Sequence, residues 1–476
     1  MTSMMPLISI AILLFHLAGI LSVFSALMTA RTPQGAIAWS MALVTFPYLA
    51  VPLYWIFGRN KFRGYIDARR QGADEIHEVT RHLAEKLPDI RSNVTGHNQH
   101  LIGLEALARM PFTHGNEARL LIDGHATFSA IFEAIERAHD YILVEFFILH
   151  DDQLGRDLKQ HLLNRARAGL RIHVLYDEVG SHALPKHYLQ ELRDAGVDIR
   201  PFDTRKGLRN RLQLNFRNHR KIVIIDGVEA FVGGLNVGDE YMGRDPRFGP
   251  WRDTHAVFTG PCVTAVQVAF LEDWHWASGE RLRLNWEVPA PREANQSILV
   301  LPSGPADPLE TCSLFFVNAL HAATQRIWIV SPYFVPDLDV ISAIQSAALR
   351  GVEVRIMLPL KPDHRMVYLA SFAYLAILNL PGIHVFRYTP GFLHQKVILI
   401  DDHLASVGTA NADNRSFRLN FEITMVVEDR RFAREVETML AKDFAQCREV
   451  DISDYEQRSL WFKLGVKFAR LLSPIL

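Results

Sequence analysis

Apolar residues fill two stretches near the start of the chain, residues 6–30 and 35–57, and neither contains an Asp, Glu, Lys or Arg. A helix needs about 20 residues to cross a hydrocarbon core of about 30 Å, so each stretch is long enough. The connector, Arg31-Thr-Pro-Gln, is short, and the pair is predicted to form a transmembrane helical hairpin within residues 1–63 (helices about 6–30 and 35–57). The first five residues carry no Lys or Arg, unlike a cleaved signal peptide. Arg59, Lys61, Arg63, Arg69 and Arg70 follow the second stretch, against Arg31 alone in the connector. That asymmetry predicts a multi-pass protein of the bacterial inner membrane, with the remainder of the chain in the cytoplasm. Residues 64–100 are charged and read as a largely helical linker.

From residue 101 the pattern changes to short apolar runs alternating with amphipathic stretches. Strands are predicted over 118–122, 141–149, 171–176 and 197–202, with helices over 124–138 and 153–168 and a third ending at 195. Such alternation implies a mainly parallel sheet flanked by helices. The run YILVEFFIL (141–149) holds one charged residue, Glu145. A buried carboxylate needs a partner, either a nearby Arg or a place in an active site. AIERAHDYILV (134–144) aligns without gaps on ALHAATQRIWI (319–329), and Ala168-Gly169 returns as Arg350-Gly351. The expected fold is therefore α/β, built as two duplicated halves over residues 101–290 and 291–455.

The repeat is sharpest where it carries chemistry. NHRKIVIIDGVEAFVGGLN (218–236) places His219, Lys221, Asp226, Gly233 and Asn236 at offsets that recur in LHQKVILIDDHLASVGTAN (393–411) as His394, Lys396, Asp401, Gly408 and Asn411. In a strand, residues two apart share a face, so each His and its Lys point the same way. Two such segments brought together offer two imidazoles, two ammonium groups and two amides around one point. That set suits a phosphodiester: one His attacks phosphorus, the other protonates the leaving alkoxide, and the Lys and Asn groups hold the non-bridging oxygens. Asp226 and Asp401 lie five positions past the Lys, on the opposite face of an unbroken strand, and Asp226-Gly227 has the look of a hairpin turn. Their expected part is support of the motif's loop.

Composition narrows the alternatives. With 51 Lys and Arg against 52 Asp and Glu, no bulk positive field points to a nucleic-acid partner. Three scattered cysteines fit neither a disulfide framework nor a zinc site. No HExxH, P-loop or dinucleotide fingerprint is present, so no cofactor or metal is expected.

The duplicated HxKxxxxD with its following Gly and Asn resembles the phospholipase D superfamily. GGLNVGDEYMGRD (233–245), WRDTH (251–255), SPYFVPD (331–337), PGFLHQK (390–396), NADNRSFRLNFE (411–422) and YWIFGR (54–59) extend the resemblance to the bacterial cardiolipin synthases over essentially the whole chain. It implies transfer of a phosphatidyl group from one phosphatidylglycerol to another, giving cardiolipin and glycerol through a phosphohistidine, with His219 as nucleophile and His394 as acid and base. Phosphatidylethanolamine is left open as donor. Asp226 and Asp401 belong to the family signature. In the family a carboxylate downstream of each motif bonds the catalytic His, and Asp253 and Glu422 are the candidates. A hydrolytic phospholipase D would use the same residues with water as acceptor, and a non-catalytic membrane scaffold is the alternative of a different class.

Residues 456–476 close the chain with an amphipathic helix. Leu464, Phe468, Leu471, Leu472 and Ile475 share one face, and Lys463, Lys467 and Arg470 another. Anionic lipid and the protein's own core are both fitting partners for the apolar face.

Overall fold

A computed structural model describes residues 4–58, 61–71, 88–94, 99–204, 215–289, 292–451 and 455–476. Most of the expected linker helix, the basic residue Arg59 and the boundary between residues 290 and 291 lie outside the described residues. The chain divides into two compact units.

The first unit holds the N-terminal apolar helices. Met4–Thr29 is a single helix, and among the described residues Ile8–Thr29 is the segment long and apolar enough to cross a membrane. The second apolar stretch is not one helix as its length suggested. It forms Pro33–Thr45 and Pro47–Phe57, interrupted at Phe46. Proline disfavours helical backbone in the residue before it and brings no N–H, and Phe46 accordingly leaves the helical region at φ −133°, ψ 56°. The first helix meets the others closely. A Cβ on Gly19 would stand 2.4 Å from the Leu43 carbonyl oxygen, so only glycine admits this approach. Tyr54 donates to Ser25 Oγ (2.9 Å) and Trp55 Nε1 to Ser22 Oγ (3.1 Å). Such bonds between apolar helices add to close packing where lipid supplies no hydrophobic drive. Leu13, Leu21, Phe24 and Met28 point outward and are exposed.

In the second unit, among the described residues, one sheet of sixteen strands runs through both halves, fifteen in one continuous order and the sixteenth, Arg217–Asn218, paired off it with Asn420–Glu428. The first half orders its strands Thr113–Ile122, Thr254–Thr259, Glu229–Gly233, Ile222–Ile225, Tyr141–Phe146, Arg171–Asp177, Asp198–Phe202. The second half repeats that order with Gln296–Ser303, Asn420–Glu428, Leu404–Gly408, Val397–Ile400, Arg326–Val330, Glu353–Pro359 and Ile383–Tyr388, then adds Cys447–Glu449. The halves join antiparallel through Thr113–Ile122 and Gln296–Ser303.

The sheet is mixed, and this corrects the expectation of mainly parallel strands. Tyr141–Phe146, Arg171–Asp177 and Asp198–Phe202 are parallel, as are their three counterparts, because helices connect them. The motif strands are antiparallel to both neighbours. Asp226 and Asp401 turn the chain straight back with φ of 52° and 50°, and a tight turn can only join antiparallel strands. Helices such as Asp123–Arg137, Gln153–Arg167, Thr311–Ala322 and Leu338–Leu349 cover the sheet with apolar cores, one in each half.

Candidate active site

The HxK segments sit just before their strands, each in a short crossing between the halves. Arg217–Asn218 pairs parallel with Asn420–Phe421 of the second half, and the His219 N–H donates to the Phe421 carbonyl at 2.9 Å. Reciprocally, Phe392–Leu393 pairs parallel with Trp251–Arg252 of the first half, and the His394 N–H donates to the Arg252 carbonyl at 2.8 Å. The motif strands are therefore not neighbours in the sheet. Their leading ends are exchanged instead, each laid against the opposite half.

This exchange decides which carboxylate meets which imidazole. His219 Nδ1 lies 2.9 Å from both oxygens of Glu422, and His394 Nδ1 lies 2.7 Å from Asp253 Oδ2. A carboxylate accepts only, so Nδ1 carries the hydrogen and each Nε2 is left with its lone pair. Glu422 is fully buried and also accepts from Thr409 Oγ1 (2.6 Å), Ser416 Oγ (2.7 Å) and Asn420 Nδ2 (3.2 Å). Asp253 accepts from the Thr254 N–H at 2.8 Å. Lys221 Nζ donates to the His219 carbonyl at 2.6 Å. Lys396 Nζ donates to the His394 carbonyl and lies 2.9 Å from His394 Nδ1.

Burial sets the charge states. It lowers His219 to about 4, aided by Lys221 and opposed by Glu422. Burial and the ammonium groups of Lys396 and Lys221 hold His394 well below the usual imidazole range. Lys221 is pushed well below the usual amine range by burial, and Lys396 to about 8. Burial would raise Glu422, but His219 and Lys221 outweigh it and keep the carboxylate ionised. Asp253 is raised by burial, with Lys396 opposing. The two imidazoles feel each other's lysines, which marks the whole set as one electrostatic cluster. Phe147 packs against His219 and Trp251 against His394, at ring separations of 5.1 Å each.

The remaining sequence candidates fall in different places. Asp226 accepts the backbone N–H groups of His139, Asp140 and Tyr141 at 2.8–2.9 Å. Asp401 does the same for Gln325 and Arg326 and binds the Thr324 hydroxyl at 2.7 Å. Both tie a helix–strand junction to the motif hairpin and stand apart from the imidazoles. Asn236 is committed at both ends, accepting from the Ile148 N–H (3.1 Å) and donating to the Tyr241 hydroxyl (3.0 Å). Asn411 is buried, and its Oδ1 has no hydrogen-bond partner among the described residues.

The motif glycines have a steric reason. A Cβ on Gly233 would lie 2.5 Å from His255 Cα, and one on Gly408 would lie 2.5 Å from the Ile423 carbonyl oxygen; at the next residue, a Cβ on Gly234 would lie 2.1 Å from Asp253 Oδ1. The copies differ one position after the first glycine. Gly234 leaves room for Asp253, whereas Thr409 fills the equivalent place and bonds Glu422.

Sequence reasoning missed Thr409, Ser416 and the residues beneath His219. Asn218 Nδ2 donates to Glu145 and to Asp273 Oδ2 (3.0 Å), and Arg220 Nη1 pairs with Asp273 at 2.7 Å. Among the described residues Glu145 thus bonds neither an Arg nor the imidazole, although the Arg220 charge acts on it from a distance. Burial and the Asp273 charge raise it well above the usual carboxylate range. A hydroxyl in one copy where the other has glycine was the available signal for Thr409; Asp273 had none.

His150, Asp152 and Glu240 bring ligand atoms within 4.8 Å of one another. Asp152 is already occupied, capping the helix that follows through the Gly155 N–H (3.0 Å) and accepting the Asp239 N–H (2.6 Å).

The model of the family described as "Cardiolipin synthase, PLD-like domain" matches residues 131–245 and 316–444, and "Phospholipase_D-nuclease N-terminal" matches residues 11–59. Cardiolipin synthase A of Pseudomonas putida (strain W619) is 51% identical over 471 residues, covering 97% of each chain. The chain belongs to the phospholipase D-like cardiolipin synthase family. Cardiolipin synthase A of Pseudomonas fluorescens (strain SBW25) is likewise 51% identical over 465 residues, again covering 97% of each chain. A solved phosphatidylserine synthase from Haemophilus influenzae Rd KW20 shares the fold, with a TM-score of 0.61 at 16% identity, covering 80% of this chain and all of its own. Membership makes the protein a membrane-associated phosphatidyltransferase of the phospholipase D type, acting on phospholipids.

Proposed function

We propose that the protein condenses two phosphatidylglycerol molecules into cardiolipin and glycerol in two displacements at phosphorus. The observation that carries this reading is the pair of imidazoles, each with Nδ1 held by a carboxylate of the opposite half and each beside an ammonium group. In the first step His219 Nε2 attacks phosphorus, the bond from phosphorus to the glycerol headgroup oxygen breaks, and His394 Nε2 delivers a proton to that oxygen. In the second, His394 takes the proton from the terminal hydroxyl of another phosphatidylglycerol, whose oxygen displaces His219 from phosphorus. One phosphodiester replaces another, so no nucleotide is consumed.

His394 must hold a proton before the first step, yet burial and two ammonium groups disfavour it in the free protein. The phosphodiester monoanion supplies the missing counter-charge, so substrate binding itself arms the acid. Lys221 and Lys396 then face the equatorial oxygens, and Asn411 is the amide better placed to assist, since Asn236 is engaged at both ends. Asp253 and Glu422 orient the imidazoles, and Asp226 and Asp401 hold the loops.

The test is trapping. Headgroup-proximal ³²P in phosphatidylglycerol, followed by alkaline quench and peptide mapping, is expected to label the peptide containing His219. Label on the His394 peptide reverses the assignment. Phosphatidic acid in place of cardiolipin replaces transfer with hydrolysis.

The positive charges after residue 57 favour a cytoplasmic catalytic body with both termini on that side. The two short helices Pro33–Thr45 and Pro47–Phe57 together supply the return across the bilayer. Labelling of an engineered cysteine at Arg31 by an impermeant maleimide from the periplasm supports this topology, and protection there refutes it.

A further inference from the structure

Helix Leu460–Leu471 presents two opposed faces. Val466 and Ala469 are fully buried, Phe462 lies 5.2 Å edge-on to Phe372, and Arg470 stands over the Tyr374 ring at 5.8 Å. That side docks on helix Arg365–Leu375, so the protein's own core takes this face and not the face of Leu464, Phe468 and Leu471 singled out in the sequence. The other side is left bare. Trp461, Leu464, Phe468 and Leu471, spaced three and four residues apart, are 82%, 50%, 61% and 76% exposed. Leu472 falls outside this ridge, because the helix gives way to a tighter turn at Ser473–Ile475.

We propose that this ridge lies in the headgroup–acyl boundary of an anionic bilayer and gives the catalytic unit a membrane contact of its own, beyond the N-terminal apolar helix. Three observations select lipid as the occupant. The ridge is a continuous row of four large apolar side chains, more than scattered surface hydrophobics account for. Lys463 and Lys467 follow one flank of that row, with Lys467 exposed, which matches phosphate headgroups at the level of the helix axis. Docking of the opposite face fixes the helix, so no ordering cost opposes its shallow insertion. The proposal does not depend on the assignment of nucleophile or acceptor.

The test uses the full chain with Cys447→Ser, since Cys262 and Cys312 are buried and Cys447 is partly exposed. An environment-sensitive label is placed at Phe468→Cys, and in a separate protein at the exposed Glu435→Cys. Both are reconstituted in phosphatidylglycerol vesicles with brominated acyl chains. The label at 468 is expected to be quenched by bromine and shielded from aqueous iodide, and the label at 435 to show the reverse. Adding Lys467→Gln should lower the ratio of inserted to water-exposed label roughly fivefold, the worth of one cation at an anionic surface. Equal iodide access at both positions overturns the proposal. Shielding at 468 without bromine quenching also overturns it, in favour of a second copy or another protein. Melting in detergent checks folding. Should Phe468→Cys melt early, Leu464→Cys takes its place with the same outcomes. No catalytic residue is altered or read out, so failure here leaves the transfer reading standing.

Discussion

Glu422→Gln is the substitution that most directly tests the crossed arrangement. It keeps the shape of a buried side chain that receives Thr409, Ser416, Asn420 and His219, but it exchanges one acceptor oxygen for a donor. With its amide N–H₂ against His219, Nδ1 must accept, the hydrogen moves to Nε2, and the nucleophilic lone pair is lost. In either orientation of the amide one hydroxyl, Thr409 or Ser416, faces an N–H₂ and must reorient, and the charge opposite the forming imidazolium is gone. The comparable change in a Ser-His-Asp triad costs about 10⁴ in kcat, or about 5 kcal/mol of barrier. The assay is phosphoenzyme formation from two substrates, phosphatidylglycerol and a phosphatidyl ester with a nitrophenol leaving group. A good leaving group needs no acid. Asp253→Asn and His394→Ala should therefore regain a phosphoenzyme burst with the nitrophenyl ester, while Glu422→Gln and His219→Ala should not. The phenotypes sort by imidazole partner, not by half of the chain. A Glu422→Gln protein that folds and keeps kcat within tenfold of the parent, or that is rescued by the nitrophenyl ester, refutes the reasoning.

Three further outcomes are expected. Lys396 is charged below about pH 8 and neutral above it, so kcat/KM should fall as pH rises through 8; Lys396→Met should lose on the order of 10²–10³ in kcat and flatten that limb of the profile. Gly234→Ala pushes a methyl to within 2.1 Å of Asp253 Oδ1 and should cost about 10²-fold in turnover by displacing His394, whereas Gly169→Ala, with no atom within 4 Å but φ +92°, should lower stability by about 1–2 kcal/mol and leave kcat unchanged. Asp401→Asn strips charge from a carboxylate that accepts the Gln325 and Arg326 N–H groups; thermal melts should show a loss of about 1–3 kcal/mol, with turnover per folded molecule near that of the parent.

Much of this protein was legible in one dimension. Apolar runs, strand–helix alternation and the doubled spacing of His219, Lys221 and Asn236 with His394, Lys396 and Asn411 are local patterns, set by residues within some twenty positions of one another. Local geometry also foretold that Asp226 and Asp401 would serve turns, since a side chain five past the Lys faces away from it. The pairing of His219 with Glu422 across 203 residues, and of His394 with Asp253 across 141, was settled only by the exchange of short strands between halves. So were the antiparallel setting of the motif strands, the network of Asn218, Arg220, Glu145 and Asp273, and the choice of which side of the last helix is covered. Periodicity records which face of an element is apolar, but carries no record of what that face or its polar neighbours will meet. Partners distant along the chain are selected by the packing of whole layers, and that selection exists only once the tertiary structure has formed.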